Sequence, residues 1–122
     1  MGRLMIVDDN ERFLAVARDR LTSDGLEVVG TATTQAEALD KAEELHPDVI
    51  LVDISLGTES GFELTRRFVE DFPDLHPRVV LISTRDPEDF ADLIALSPAA
   101  GFLPKNLLSA SAVCDLLRGN DC

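Results

Sequence analysis

Short apolar runs alternate along this chain with longer segments in which apolar residues recur every three or four positions. Apolar runs rich in Val and Ile are typical of strands buried on both faces of a parallel sheet. The longer segments are typical of helices with one buried face. The five predicted strands lie at residues 3–7, 26–30, 49–52, 78–83 and 99–103.

Helix-start signals follow these runs. Asn10 is a predicted N-cap, and Thr34 and Ser60 each precede a Glu by three residues, as in a capping box. The helix that Ser60 opens is expected to bury three apolar residues, which are Phe62, Val69 and Phe72. Two further helices are predicted near the end of the chain, at roughly 87–96 and 108–118.

The predicted elements form five strand–helix units in strict alternation. Alternation at this spacing implies a parallel sheet with right-handed crossovers and with helices on both faces. At 122 residues the chain is expected to form one domain, spanning residues 1–122. The predicted fold class is therefore α/β, a doubly wound (βα)5 sheet.

The composition adds a strongly acidic charge balance. Asp and Glu total 23 against 11 Lys and Arg, which gives a formal charge of −12. Such a charge repels phosphate backbones, so we expect no direct nucleic-acid binding by this chain. No apolar run is long enough to span a bilayer and Met1 leads directly into a strand, so we expect a cytoplasmic protein without membrane contact. Cys114 and Cys122 have no metal-site spacing, and we expect one helix residue and one tail residue in a reducing compartment.

The ends of the predicted strands carry the candidate chemistry. In a parallel sheet these ends share one edge, where covered α/β sheets bind ligands. Each of the residues at these ends has an ordinary explanation on its own, as a cap, a strand residue or a surface lysine. Together they supply three carboxylates, a hydroxyl and an ammonium from four strands: Asp8, Asp9, Asp53, Ser83 and Lys105.

Each chemical group at this edge has a possible role. Clustered carboxylates are costly to keep ionised unless a cation joins them, and hard oxygen ligands suit Mg²⁺. A carboxylate beside a bound divalent ion can attack a phosphoryl group and become an acyl phosphate. Lys105 would then neutralise charge on the transferring oxygens, and Ser83 could donate a hydrogen bond to the product phosphate.

These residues make the chain resemble the receiver domain of two-component response regulators, of the chemotaxis-regulator type. The resemblance is carried over essentially the whole length by the motifs IVDD, PDVILVD, VVLIS and GFLPK. The spacings also match, because Asp53 follows Asp9 by 44 residues. Ser83 follows Asp53 by 30 residues, and Lys105 follows Ser83 by 22. The resemblance implies a flavodoxin-like strand order, 2-1-3-4-5.

The resemblance also implies a role for each site residue. Asp53 would accept a phosphoryl group from a sensor histidine kinase or phosphotransfer protein. The Mg²⁺ site would use four residues, with one of them, Asp8, acting through a coordinated water: Asp8, Asp9, Asp53 and the backbone carbonyl of Ser55. Ser83 and Phe102 would move on phosphorylation and thereby change the surface formed by the fourth helix, the fifth strand and the fifth helix. This surface would control a downstream protein or a fused output domain.

The chain departs from the family pattern at Gly57 and at Phe102. Many receivers carry proline four residues after the acceptor aspartate, where this chain has Gly57. Glycine there is expected to make residues 54–60 a more flexible loop of less predictable geometry. Phe102 lacks the hydroxyl of the commoner tyrosine.

Three functions compete. The first is a phosphorylation switch that stands alone, since the chain stops after the fifth helix. Such a switch is not an enzyme in the usual sense. The second is the receiver part of a longer DNA-binding transcriptional regulator. No recognition-helix signature occurs in residues 1–122, but GFLPK is similar to the ending of receivers that precede a helix-turn-helix output. The third is a Mg²⁺-dependent phosphatase, although such enzymes place a second Asp where Ser55 stands here.

Overall fold

The central sheet has five parallel strands. The computed structural model describes residues 3–72 and 78–117. Its sheet strands are β1 (Arg3–Val7), β2 (Glu27–Ala32), β3 (Val49–Asp53), β4 (Arg78–Ser83) and β5 (Gly101–Pro104). Each neighbouring pair is parallel, and the order across the sheet is β2-β1-β3-β4-β5. The predicted fold class and the strand order 2-1-3-4-5 are therefore confirmed.

Helices alternate with these strands. They are α1 (Glu11–Ser23), α2 (Gln35–Leu45), α3 (Gly61–Asp71), α4 (Ala91–Leu96) and α5 (Ala110–Leu117). The fourth is shorter than predicted because its expected first turn, Pro87–Phe90, is a 3₁₀ helix. A second 3₁₀ turn, Lys105–Leu107, joins β5 to the last helix. None of the helices within the described residues is both long enough and apolar enough to cross a bilayer.

Three predicted N-caps form as expected. In each, the side-chain oxygen of the cap accepts the backbone N–H of the residue three positions later, at 3.1 to 3.3 Å. The caps are Asn10, Thr34 and Ser60. A cap of this kind satisfies a backbone donor that the helix leaves free, and it stabilises the helix by about 1 kcal/mol.

The sheet is covered on both faces. Helices α1 and α5 pack on one face, where Leu21 and Val113 meet Leu51 of the central strand. Helices α2 and α3 pack on the other face, where Phe68 meets Ile50 among others. Every residue of β3 is buried, as expected of the middle strand of a doubly covered parallel sheet.

The buried face of α3 differs from the prediction. Val69, predicted to be buried, is 41% exposed, whereas Phe68 is completely buried. Phe62 and Phe72 are partly buried at the margin of the core. Two neighbouring stripes of α3 both have helical spacing, so the pattern alone did not select between them. The close approach of Gly61 to the sheet turns the stripe that includes Phe68 inward.

Residues 54–60 do not form the expected irregular loop. Ser55–Leu56 and Glu59–Ser60 pair antiparallel, and we call this segment the 55–60 hairpin. Gly57 adopts a φ of 63°, whereas Thr58 does not have a positive φ. Glycine with positive φ at the first of two loop positions fits the tight type II′ connection of hairpins. Glycine therefore closes a regular turn here, in a conformation that proline cannot adopt.

Cys114 lies in α5, as expected. The prediction for Cys122 falls outside the described residues.

Truncating the buried and the exposed residues of α3 should have unequal effects. We expect Phe68→Ala to lower the free energy of unfolding by about 3–5 kcal/mol, because it opens a cavity in the core. Val69→Ala should change it by less than about 1 kcal/mol, because that residue is 41% exposed and lies outside the buried core. Urea unfolding followed by far-UV circular dichroism measures both. Similar losses for the two variants would contradict this assignment of the buried face.

Candidate functional site

The carboxyl edge of the sheet brings four of the predicted site residues together. Asp8 and Asp9 follow β1, Asp53 ends β3, and Lys105 follows β5. The three carboxylates each offer an oxygen within 4.8 Å of the others. Lys105 Nζ lies 2.6 Å from Asp8 Oδ2 and 3.1 Å from Asp53 Oδ2. Asp8 and Asp53 are buried and Asp9 is exposed, so the cluster opens to solvent on the side of Asp9.

Backbone N–H groups orient the two buried carboxylates. The N–H of Asn10 donates to Asp8 Oδ1 at 2.9 Å, and the N–H of Ser55 donates to Asp53 Oδ1 at 3.1 Å. In each case the donor lies two residues after the carboxylate, which is the arrangement of an Asx turn. The turn fixes one oxygen as the chain leaves the strand, and the Oδ2 atoms are left to face Lys105.

Burial and charge shift the acidity of this cluster. Burial, and then the nearby charge of Asp8, raise the pKa of Asp53 from 3.8 to about 6. The Ser55 N–H and the Lys105 ammonium oppose that rise only in part. Burial alone would lower the pKa of Lys105, but its contacts with Asp8 and Asp53 outweigh burial and raise this pKa above its ordinary value. Lys105 is therefore an ammonium, and one ammonium does not balance three carboxylates.

The donor set fits a hard divalent cation. Asp8 Oδ2 is buried, and its partner among the described residues is the Lys105 ammonium at 2.6 Å. Burial, and then the charge of Asp8, raise the pKa of the neighbouring Asp53. A cation bound to these carboxylates would relieve their mutual repulsion, and carboxylate oxygens are the ligands that Mg²⁺ prefers. The cluster could therefore hold a metal ion.

The remaining predicted residues lie around this cluster. Ser83 is buried at the end of β4, in register with Pro104, and its Oγ accepts the N–H of Arg85 at 3.0 Å. Ser55, apart from its N–H, contributes an exposed side chain in the first strand of the hairpin. Phe102 is partly buried in β5, on the sheet face that α3 covers. The structure thus places Phe102 at the margin of this core, where it also lines an apolar groove with Ile94 and Pro104.

Two residues of the site were missed in the sequence. The ring of Phe13 in α1 lies 4.4 Å from Lys105 Nζ, a cation–π distance, and so packs against the ammonium. Gly61 begins α3, and a methyl group there would overlap the backbone carbonyl of Asp53. Phe13 has the spacing of an ordinary core residue. A glycine directly after the N-cap Ser60 was the one signal that could have indicated the close approach.

A family model described as "Response regulator receiver domain" matches residues 4–117. The chain is 35% identical over 106 residues to the response regulator GacA of Pseudomonas viridiflava, which covers 86% of this chain and 49% of GacA. The chain thus spans about half the length of the first curated relatives it matches.

Two solved structures are similar over most of this chain. The receiver domain of the response regulator NarL from Mycobacterium tuberculosis has a TM-score of 0.80 and 31% identity, with 98% of both chains covered. A response regulator from Burkholderia pseudomallei, solved with a phosphorylated aspartic acid, a calcium ion and citrate, has a TM-score of 0.81 and 25% identity. That comparison covers 95% of this chain and 66% of the other.

The raised pKa of Asp53 predicts a pH dependence of stability in metal-free protein. With a pKa of about 6 when folded and near 3.8 when unfolded, Asp53 keeps its proton longer in the folded state. The folded state therefore binds more protons between these values, and the contribution of Asp53 to the free energy of unfolding falls as pH rises through this window. We expect a fall of about 1–3 kcal/mol from roughly pH 4 to pH 7.

Urea unfolding in EDTA, compared between the wild type and Asp53→Asn, measures this contribution. The variant carries no titrating group at residue 53, so the difference between the two proteins isolates Asp53 from the other carboxylates. A difference that stays constant across the window would contradict the raised pKa.

Proposed function

The chain belongs to the response regulator receiver domain family, and we propose that it accepts a phosphoryl group on Asp53 and converts that event into a change of its surface. The observation that carries the proposal is the meeting of Asp53 with Lys105 and two further carboxylates at one edge of the sheet. The phosphorylated aspartic acid of the similar Burkholderia response regulator supports this chemistry. We propose one receiver domain over residues 1–122.

Asp53 is the proposed nucleophile. With a pKa of about 6 it is ionised at neutral pH, so it needs no general base. One carboxylate oxygen forms a bond to phosphorus while the bond from phosphorus to the imidazole nitrogen of a phosphohistidine breaks. The donor would be a sensor histidine kinase or a phosphotransfer protein, and its imidazole leaves with the electron pair of the broken bond. The product is an acyl phosphate on Asp53.

Acidic residues of this family typically bind Mg²⁺, and we propose the same here. The ligands would be Asp9, Asp53 and the backbone carbonyl of Ser55, with Asp8 holding a coordinated water. A bound ion supplies positive charge that offsets the charge of the phosphoryl oxygens. Lys105 supplies a second positive charge from its position beside Asp53 Oδ2.

Ser83 and Phe102 are the proposed switch residues. The Ser83 oxygen accepts the Arg85 N–H, so its hydroxyl proton can be donated to a phosphoryl oxygen. Phe102 lines an apolar groove with Ile94 and Pro104, and it would turn inward when Ser83 moves. The surface of α4, β5 and α5 would then change, and a downstream protein or a fused output domain would respond.

A second candidate is the receiver part of a longer, DNA-binding transcriptional regulator. The observation that favours it is length, because this chain covers 49% of GacA. We propose no nucleic-acid contact by the chain itself, since its formal charge is −12. We also propose no turnover of external phosphate esters, because Ser55 stands where an aspartyl phosphatase needs a second carboxylic acid.

Incubation with acetyl phosphate and Mg²⁺ should add one phosphoryl group to the wild-type protein, measured by intact mass. Asp53→Asn should gain none, because the amide is not a nucleophile for this transfer. Asp40→Asn, which removes an exposed carboxylate from α2, is the matched control and should behave as the wild type. Undiminished phosphorylation of Asp53→Asn would mean that the acceptor is another residue.

Loss of the ammonium should slow the same reaction. We expect Lys105→Met to lower the initial rate of phosphorylation by about 10²-fold, because a positive charge beside the transferring oxygens is lost. Lys105→Arg keeps the charge but not the compact shape of the ammonium, so its rate of phosphorylation should lie between those of the wild type and Lys105→Met. The time course of intact mass measures all three proteins, and an unchanged rate in Lys105→Met would exclude the proposed role.

A further inference from the structure

The 55–60 hairpin is anchored on the helix beside it. Glu59, in its second strand, is partly buried, and its Oε1 accepts the backbone N–H of Gln35 at 2.9 Å. Gln35 is the first residue of α2, so this carboxylate sits at the positive end of that helix. The side chain of Gln35 returns the contact, because its Nε2 donates to the carbonyl of Ser60 at 3.1 Å. Two hydrogen bonds of opposite direction therefore join the hairpin to α2.

The amide of Gln35 is also held from the other side. Its Oε1 accepts from Arg67 Nη1 of α3 at 3.4 Å. Gln35 is only 5% exposed, which is unusual for this residue type unless its polar atoms are paired. Both ends of the amide are used, so its orientation is fixed between α2, α3 and the hairpin. A buried amide that is held by the hairpin at one end and by α3 at the other points to a positioning role.

The hairpin that this network holds is in direct contact with the carboxylate cluster. Its first residue, Ser55, donates to Asp53 and pairs across the hairpin with Ser60. Its turn lies over Asp9, because a methyl group on Gly57 would lie 3.6 Å from Asp9 Oδ2. The position of Ser55 beside Asp53 and the position of the turn over Asp9 therefore both depend on the position of the hairpin.

We propose that Glu59 and Gln35 are positioning residues that hold the 55–60 hairpin in place over Asp9 and Asp53 and thereby preorganise the divalent-cation site. The inference rests on the proposed function, because it takes the ion to be Mg²⁺. A site that is assembled for only a fraction of the time binds its ligand more weakly in proportion to that fraction. Release of the hairpin from α2 therefore weakens Mg²⁺ binding although neither residue is a proposed ligand.

A simpler explanation is that Glu59 attracts the cation through its charge alone. The two explanations differ for Glu59→Gln, which keeps an acceptor oxygen for the Gln35 N–H but removes the charge. They differ also for Gln35→Ala, which leaves the charge unchanged. Positioning predicts that the first substitution is mild and that the second is harmful, and simple attraction predicts the reverse.

The test is a Mg²⁺ titration by isothermal calorimetry, since the chain has no Trp or Tyr to report binding by fluorescence. We expect Glu59→Ala and Gln35→Ala each to raise the Kd about 5- to 20-fold, and Glu59→Gln to stay within about twofold of the wild type. Since both residues hold the same segment, the double alanine variant should be little weaker than either single variant. Glu43→Ala, which removes an exposed carboxylate from α2, is the charge-matched control and should bind as the wild type.

Two results would overturn the proposal. One is Glu59→Gln binding as weakly as Glu59→Ala, and the other is wild-type affinity in Gln35→Ala. Circular dichroism checks that each variant is folded, and Gln35→Met replaces Gln35→Ala if the smaller side chain unfolds the protein.

Hydrogen exchange in EDTA gives a readout that needs neither metal nor phosphorylation. Backbone amides of residues 55–61 should exchange several-fold faster in both alanine variants than in the wild type and Glu59→Gln. Unchanged exchange would refute the anchoring role. If the wild type fails to take up a phosphoryl group, the proposed function fails, whereas the exchange and Mg²⁺ comparisons still decide the role of Glu59 and Gln35.

Discussion

An ammonium shared by two buried carboxylates holds the carboxyl edge of this protein together. Lys105 contacts both Asp8 and Asp53, and it thereby links the ends of β1, β3 and β5 across the sheet. A buried ion pair adds little net stability compared with apolar packing, although the loss of one partner is costly. We therefore interpret the interaction as one that holds the Lys105 ammonium close to the carboxylates of Asp8 and Asp53. The packing of Phe13 against Lys105 and the Asx turns at both carboxylates serve the same arrangement.

The sheet topology explains why such an arrangement can exist in a stable domain. Parallel strands with covered faces supply a rigid apolar interior, and β3 is buried along its whole length. The polar residues that follow β1, β3 and β5 then lie close together at a single edge of the sheet. The stability of the interior allows the edge to keep buried, closely spaced carboxylates, and burial followed by the charge of Asp8 raises the pKa of Asp53. A divalent cation at this edge would offset the repulsion among the carboxylates.

Most of the fold and much of the site could be predicted from the sequence, because both depend on local signals. The strands follow from apolar runs, the N-caps from Asn10, Thr34 and Ser60, and the meeting of Asp8, Asp53 and Lys105 from parallel topology. Two of the misses are matters of tertiary contact. The buried stripe of α3 depends on the approach of Gly61 to β3, and the bond between Glu59 and Gln35 spans 24 residues. The hairpin was missed because Gly57 was interpreted as a source of flexibility, whereas its positive φ serves a tight turn.

The contact of Gly61 with the backbone of Asp53 limits how the β3–α3 connection can evolve or be redesigned. Because even a single methyl group would overlap a main-chain carbonyl, no choice among the other amino acids relieves the conflict. A loop graft that keeps α3 at its present distance from β3 would have to retain glycine as the first residue of the helix. Variation in this connection should therefore fall at the exposed Thr58 rather than at Gly57, Glu59 or Gly61, each of which the structure constrains.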